Sequence, residues 1–307
     1  MYEKILVPLD GSELAEVALP YAEELAARLG SQMILMTVLS PGTGSEQGSW
    51  YPHLHDVYLQ KMLDIVKQDV QKTMGRFTVK ETKVEPVVLV GHPAEEIVDY
   101  ARKENIDLIV MSTHGRSGIK RWTLGSIADK VVRAAKNPVL LIRAKGVRAH
   151  VHRKGVLARA LVPLDGSKEG ESAIPYIAEL AAKLEAEVIL FQVLAPGYQI
   201  ITASGYGSVI YPEQQMESDR AFARAYLAKV GARLKRRGVA VESEVRFGNP
   251  AEEIIRFADE MHVDAVAMST RGRSGIERWV FGSVAERLLY QGNTPLLLVR
   301  EPRASRK

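Results

Sequence analysis

Residues Met111 to Ser126 read MSTHGRSGIKRWTLGS, and residues Met268 to Ser283 read MSTRGRSGIERWVFGS, with 12 of the 16 positions identical. Each copy follows a short apolar run and precedes a segment with the apolar spacing of a helix. A glycine-containing loop between a strand and a helix N-terminus is typical of anion sites, because backbone N–H groups and the positive end of the helix dipole converge there. The duplicated loop is therefore the first candidate for a binding site.

The rest of the chain is duplicated as well. LVPLDGS recurs unchanged from Leu6 and from Leu161, GHPAEEI from Gly91 answers GNPAEEI from Gly248, and NPVLLIR from Asn137 answers NTPLLLVR from Asn293. A repeat of this length indicates two duplicated domains rather than a solenoid. We predict one domain at residues 1–145, a linker at 146–157 and a second domain at 158–307.

Each copy alternates short apolar segments with longer amphipathic ones. This order predicts an α/β fold: two tandem doubly wound, Rossmann-like domains, each a five-stranded parallel sheet with helices on both faces. In the first copy we expect strands at 5–9, 33–39, 83–90, 108–111 and 139–142, and helices at 15–29, 57–76, 94–105 and 126–135. The segments 42–51 and 197–211 are predicted as loops. Such sheets bind ligands at the carboxyl ends of strands, where the strand order reverses.

Composition excludes several classes of function. The 307 residues carry a formal net charge of +4 and no cysteine, so a disulfide framework and thiolate chemistry are excluded. Apart from the segment Lys145 to Arg159, the basic residues are spread along the chain, which disfavours a nucleic-acid-binding role. No apolar run approaches 18 residues, and the N-terminus lacks a signal-peptide pattern, so we expect a cytoplasmic protein without membrane contact. Histidines 53/55 and 150/152 lack companion metal ligands, so no metal site is expected from the protein alone.

The loop and the end of the first strand suggest how an anion is bound. Gly115 either lets the backbone approach a phosphate closely or only forms a tight turn. Ser126 either caps its helix through capping-box spacing to Asp129 or presents its hydroxyl to the phosphate, and the two roles are compatible. Asp10 accepts hydrogen bonds from a ribose or adenine, or holds a divalent ion against phosphates, or only forms an Asx turn. Arg116 either screens phosphate charge or is a solvated surface residue.

With these residues in view, the chain resembles a tandem universal stress protein over its whole length except the linker. The nucleotide-binding branch of that family carries Gly-x2-Gly-x9-Gly-Ser/Thr. Gly115, Gly125 and Ser126 match this motif, as do Gly272, Gly282 and Ser283, but Ser112 and Ser269 replace its first glycine. The resemblance implies ATP as ligand, with Mg²⁺ held near Asp10 and Asp165. It further implies that Pro8 and Asp10 (Pro163 and Asp165) border the adenosine and that the backbone of Val38 and Val193 contacts the adenine edge. The full predicted nucleotide set is Pro8, Asp10, Val38, Met111, Ser112, Gly115, Arg116, Gly125, Ser126, Pro163, Asp165, Val193, Met268, Ser269, Gly272, Arg273, Gly282 and Ser283.

The last strand of each copy suggests how the domains associate. Residues 139–142 and 296–299 are apolar and lack the charges or prolines that usually protect an exposed sheet edge. The resemblance implies that this strand pairs across a dimer. We therefore predict an intramolecular pseudo-dimer of the two domains, and a homodimer stays a further possibility.

Three functions follow from these patterns. The first is an ATP-binding stress or regulatory protein with one nucleotide site per domain. The second is a stress scaffold that binds no nucleotide, because Ser112 and Ser269 disable the motif. The third is a slow ATPase, although adenylyl-transferase, pyrophosphatase and Walker signatures are missing. His114 is the one candidate general base, and Arg271 stands in its place in the second copy. We expect no dedicated catalytic activity.

Overall fold

The computed structural model describes residues 1–40, nine positions between 60 and 75, and residues 82–115, 124–143, 155–195, 199–203, 206–210, 213–270 and 281–300. The chain divides into two compact units, Met1–Val156 and Leu157–Lys307. Most of the predicted linker lies outside the described residues, as do the loop at 42–51 and much of the helix at 57–76.

Each unit contains one parallel five-stranded sheet, as predicted. The strands of the first unit are β1 (Lys4–Leu9), β2 (Gln32–Leu39), β3 (Val84–Val90), β4 (Leu108–Ser112) and β5 (Val139–Ile142), in the order β3-β2-β1-β4-β5. The second unit has β6 (Arg159–Pro163), β7 (Glu187–Leu194), β10 (Ala240–Phe247), β11 (Ala265–Ser269) and β12 (Leu296–Val299), in the order β10-β7-β6-β11-β12. β8 (Gln199–Ala203) and β9 (Tyr206–Ile210) form a separate antiparallel pair. All five residues of β4 and of β11 are buried, as expected for strands covered on both faces.

Helices connect the strands of both sheets. The first unit has α1 (Glu13–Glu16), α2 (Leu19–Leu29), α3 (Pro93–Lys103) and α4 (Ser126–Ala134), and the second has α5 (Ile174–Leu184), α6 (Glu213–Lys235), α7 (Pro250–Glu260) and α8 (Ser283–Gln291). Parallel strands are almost always joined by right-handed crossovers, and with this strand order the rule predicts helices on both faces of each sheet. The fold class is therefore confirmed. Within the described ranges, no helix combines the length and the apolar character needed to cross a membrane.

Two local predictions are wrong. The single helix expected at 15–29 is two helices, and Pro20 lies in the first turn of the second, the position where a proline costs no helical hydrogen bond. The loop expected at 197–211 contains the β8–β9 hairpin. Its two arms, QIITA and YGSVI, contain β-branched residues, and this propensity outweighs the glycine content that suggested a loop.

An aspartate fastens the start of the first strand in each unit. Asp107 Oδ2 accepts hydrogen bonds from the backbone N–H groups of Glu3 (2.8 Å) and Lys4 (3.1 Å). Asp264 Oδ2 accepts the same bonds from Ala158 (2.8 Å) and Arg159 (2.7 Å). Each aspartate directly precedes β4 or β11, so its carboxylate joins the amino ends of the two central strands of the sheet.

The turn before α7 requires a glycine. Gly248 has a φ of +150°, and a Cβ built on it lies 2.9 Å from Glu253 Cγ. Gly248→Ala is therefore expected to lower the free energy of unfolding by about 1–3 kcal/mol, since it adds backbone strain and a close contact.

Gly238→Ala separates the two causes, because Gly238 also has a positive φ (+79°) but no atom within 4 Å of an added Cβ. Urea unfolding of both variants measures the difference. An equal loss in both would show that the contact with Glu253 contributes nothing.

Candidate functional site

A hydrogen bond between its two ends closes the duplicated loop in both units. Thr113 N donates to Ile142 O (2.9 Å), and Gly125 N donates back to Thr113 O (2.8 Å). In the second unit, Thr270 N donates to Val299 O (2.9 Å) and Gly282 N to Thr270 O (3.0 Å). This closure places the N-terminus of the following helix at the carboxyl end of β4 or β11. Residues 116–123 and 271–280, within the loops, lie outside the described residues, and with them the predicted Arg116, Gly272 and Arg273.

A helix capped by Ser126 or Ser283 would begin at the residue after the serine, but both helices begin at the serine itself. Gly125 and Gly282 are the N-cap residues, neither helix receives a side-chain cap from the described residues, and Asp129 N donates to Gly125 O (2.9 Å). Ser126 is therefore the first helical residue, so the capping alternative is wrong. Both Ser126 and Ser283 are exposed. The N–H groups of a first helical turn have no acceptor within the helix, so this end is suited to binding an anion.

The aspartate after the first strand forms an Asx turn in both units. Asp10 Oδ1 accepts from Ser12 N (3.0 Å) and Ser12 Oγ (2.6 Å), and Asp165 Oδ1 accepts from Ser167 N (2.9 Å) and Oγ (2.6 Å). The predicted Asx turn is thus present, and it uses one carboxylate oxygen, so the other oxygen is not part of the turn. The other side of Asp10 meets the loop: a Cβ built on Gly115 would overlap Asp10 Oδ2 and lie 3.2 Å from Asp10 Cγ. Gly115 is therefore required by contact with Asp10.

The second unit contains a cavity of about 290 Å³ at this place. It lies at the carboxyl ends of β6, β7 and β11 and at the start of α8. The strand order reverses between β6 and β11, so the cavity lies where a doubly wound sheet binds ligands. Seven of the predicted residues line it: Pro163, Asp165, Val193, Met268, Ser269, Gly282 and Ser283.

The first unit has the same residues at the equivalent positions. Pro8 lies in β1, Val38 in β2, and Met111 and Ser112 at the end of β4, while Gly125 precedes α4. Fifteen residues line the cavity of the second unit, and twelve of them have an identical counterpart in the first. The residues at the equivalent positions of the first unit are therefore nearly the same as those that line the cavity of the second.

Sequence reasoning missed several lining residues. Pro250 and Ile254 of α7 border the cavity, and they belong to the duplicated GNPAEEI motif, which was a usable signal. Gly170 and Phe191 also border it, but the repeat does not preserve them. Phe191 is fully buried and stacks on Phe257, with ring centroids 4.6 Å apart and an interplanar angle of 11°.

The serine that replaces the motif's first glycine fits without strain. Ser112 and Ser269 are the last residues of β4 and β11 and are 6% and 4% exposed. Ser112 Oγ accepts a hydrogen bond from His114 N (3.2 Å). Neither serine is among the non-glycine residues of the described chain that have positive φ. A Cβ at this position therefore carries no backbone penalty.

Ionisable side chains near the two sites bear on their chemistry. Burial, together with the negative charges of Glu171 and Asp165, raises the pKa of Tyr226 on α6, so this phenol stays neutral beside the second site. His114 Nδ1 lies 3.0 Å from Thr113 Oγ1. Across the described part of the chain, no three histidine, aspartate or glutamate side chains are grouped to hold a metal ion.

Comparisons with known proteins agree with this architecture. The chain is 32% identical over 152 residues to a universal stress protein of Methanocaldococcus jannaschii, and this alignment covers 47% of this chain and 83% of the relative. It is 24% identical over 308 residues to one of Mycolicibacterium smegmatis, with 96% of both chains covered. The crystal structure of a universal stress protein from Archaeoglobus fulgidus superposes with a TM-score of 0.67 at 21% identity, covering 98% of this chain and 100% of that one, and so shares the fold. The model of the universal stress protein family matches residues 1–143 and again 158–300, and the chain therefore belongs to that family, with two of its domains in tandem.

Proposed function

We propose that the chain is an ATP-binding universal stress protein with a regulatory role and one nucleotide site in each domain. The observation that carries the proposal is the cavity where Asp165 meets the uncapped start of α8. Gly282, Ser283, Val284 and Ala285 line it, so the N–H groups of the first helical turn are available to an anion there. A cavity that combines an anion site with an apolar lining suits a nucleotide better than a free phosphate.

The nucleoside half of the site is apolar with one carboxylate. Val193, Ile254 and Met268 offer a surface for a flat base, and Asp165 offers oxygen acceptors for ribose hydroxyls. The volume of about 290 Å³ lies at the low end of small-molecule sites. Mg²⁺ binds chiefly through phosphate oxygens and water, so one aspartate per site, Asp10 or Asp165, suffices as the protein ligand.

Calorimetry with protein stripped of nucleotide tests the proposal. ATP with Mg²⁺ is expected to bind with a Kd below about 1 mM, equivalent to more than about 4 kcal/mol of binding free energy. Inorganic phosphate and adenosine serve as probes of the two halves, and each alone is expected to bind more weakly than ATP. The absence of heat with ATP at about 1 mM would contradict the proposal.

The scaffold alternative makes a different prediction for Ser112 and Ser269. If these serines disable the sites, replacing both with glycine should raise ATP affinity strongly. We expect less than about a 3-fold change, because neither serine has positive φ and glycine relieves no strain. The same calorimetric titration measures it, and a gain of about 100-fold would favour the scaffold.

A slow ATPase is the remaining alternative. His114 contacts Thr113 through its ring and has Arg271 as its counterpart, so the two sites share no general base at this position. Turnover well above background that disappears in His114→Ala would favour the enzyme.

The domains are proposed to pair within the chain, and the protein to act in the cytoplasm. β5 and β12 each stand last in the strand order of their own unit, and both are apolar strands of four residues. Amide hydrogen exchange tests the pairing. Partners on both sides protect every amide of an edge strand, whereas pairing on one side leaves alternate amides fast. Sedimentation distinguishes this arrangement from a homodimer.

A further inference from the structure

The cavity of the second domain differs from its counterpart in the first at three lining positions. Gly170, Phe191 and Val284 stand where the first domain has Ala15, Met36 and Ile127. The other lining residues are identical, so these positions distinguish the two cavity walls.

Gly170 allows the backbone to close against the carboxylate of Asp165. A Cβ built on Gly170 lies 2.5 Å from Asp165 Oδ1 and 3.2 Å from Ser167 Oγ. The same Oδ1 accepts the two hydrogen bonds from Ser167. The Asx turn and the Gly170 backbone thus both restrict the same carboxylate oxygen, Oδ1 of Asp165. An alanine here must displace either the carboxylate or the turn.

The first domain builds this turn differently. Ser12 caps the α-helical turn α1, and its Oγ accepts from Ala15 N at 3.2 Å. In the second domain a 3₁₀ turn, Gly170–Ala173, follows, and Gly170 N donates to Ser167 Oγ at 2.9 Å. Ala15 therefore fits in the first domain because its backbone follows another path. Both aspartates have the same Asx turn, but the Gly115 backbone lies against Oδ2 of Asp10, whereas the Gly170 backbone lies against Oδ1 of Asp165.

An ion pair with α6 also restrains the 3₁₀ turn of the second domain. Glu171 Oε2 accepts a hydrogen bond from Arg233 Nη2 of α6 at 2.7 Å. Leu227 and Val230 of α6 are buried, which fixes this helix in the domain. A partly exposed ion pair adds little stability, but it restricts the turn that carries Gly170.

The floor of the second cavity is an aromatic stack. Phe191 packs on Phe257, and the guanidinium of Arg246 lies 4.5 Å from the Phe257 ring centroid while it bonds to Glu260 at 2.8 Å. The counterparts in the first domain are Met36, Tyr100, Leu89 and Lys103. Methionine has three rotatable bonds and packs adaptably, whereas a stacked phenylalanine is held in place. The floor of the second-domain cavity is therefore more rigid than the equivalent residues of the first domain.

We propose that the two nucleotide sites are not equivalent and that the second domain holds the higher-affinity one, because Gly170 and Phe191 organise it before ligand binds. The inference rests on the proposed ATP binding. A carboxylate that is already held in place loses less conformational freedom when the ligand binds, so the affinity is higher.

Single blocking variants separate the two sites. Ser126→Asp closes the first site and Ser283→Asp the second, each by placing a carboxylate at the helix N-terminus. Calorimetric titration of the full chain with ATP is expected to give a Kd about 5-fold lower in Ser126→Asp than in Ser283→Asp. In the Ser126→Asp background, Gly170→Ala is expected to weaken ATP binding by about 5–10-fold and Phe191→Met by about 2–3-fold. Gly238→Ala, a glycine with no atom within 4 Å of an added Cβ, is the matched control and leaves the affinity unchanged.

The outcomes separate this inference from the proposed function. Equal Kd values in the two blocked proteins, or a neutral Gly170→Ala, would overturn the inference while ATP binding itself stands. No ATP binding by the parent chain would overturn both. Circular dichroism monitors folding, and if Gly170→Ala fails to fold, the Phe191→Met titration decides.

Discussion

Replacing Ser126 and Ser283 together by aspartate is expected to abolish ATP binding and leave the protein folded. Both serines are the first residues of their helices and are exposed. An aspartate there places a negative charge where a phosphate is proposed to bind. Two unit charges about 4 Å apart repel by roughly 4 kcal/mol near a protein surface, so the affinity should fall by at least about 100-fold.

The same substitution should not harm the fold. Acidic residues in the first helical turn stabilise a helix by about 0.3–1 kcal/mol, so the melting temperature should stay the same or rise. Ser126→Ala with Ser283→Ala is the control, since it removes the hydroxyls but keeps the backbone N–H groups, and should weaken ATP binding by less than about 10-fold. Calorimetry and thermal melting measure the two effects. An aspartate variant that binds ATP like the parent would show that these helix ends do not hold the phosphates.

Asp264→Ala is expected to cause a large loss of stability. Its carboxylate accepts two backbone hydrogen bonds at the start of β6, at 2.8 and 2.7 Å. Removing it leaves two partly buried N–H groups without their acceptor, at a cost of about 2–4 kcal/mol. Urea unfolding, followed by circular dichroism, measures the change.

Asp264→Asn keeps one acceptor oxygen and should recover about half of the loss. Asp107→Ala repeats the test in the first unit, where the bonds are 2.8 and 3.1 Å long. Asp264 precedes the amino end of β11, whereas Ser269 lies at its carboxyl end. Because Asp264 lies at the end of β11 opposite the site, its replacement should lower the free energy of unfolding. A change below about 0.5 kcal/mol would show that solvent replaces the carboxylate.

The sequence was informative about the sheets because their strands are buried on both faces. β4 and β11 read as uninterrupted apolar runs, and the predicted strand at 139–142 matches β5 to the residue. The hairpin β8–β9 was missed because glycine and serine in that segment suggested a loop. Local composition could not reveal that the two arms pair with each other.

The start of α4 shows a second limit. Ser126 and Asp129 have capping-box spacing, yet Asp129 N donates to Gly125 O, so Gly125 is the N-cap, and Gly125 N is held by a hydrogen bond to Thr113 O. That bond spans a loop whose closure is a tertiary property. Spacing alone therefore places the cap one residue too late.

The candidate site was predictable where the repeat preserves it. Asp165, Ser269 and Ser283 recur as Asp10, Ser112 and Ser126, and this recurrence identified them. Gly170 and Phe191 were missed because the first copy has other residues there. Their role depends on the distance between the 3₁₀ turn and Asp165 and on the stack with Phe257, neither of which the sequence contains.

The most direct test of the central claim is the number of ATP molecules bound per chain. Equilibrium dialysis of nucleotide-stripped protein with Mg²⁺ and ATP, up to about 1 mM, measures it. Two equivalents per chain in the parent, one in each single aspartate variant and none in the double variant are the expected results. A parent chain that binds no ATP over this range would contradict the account.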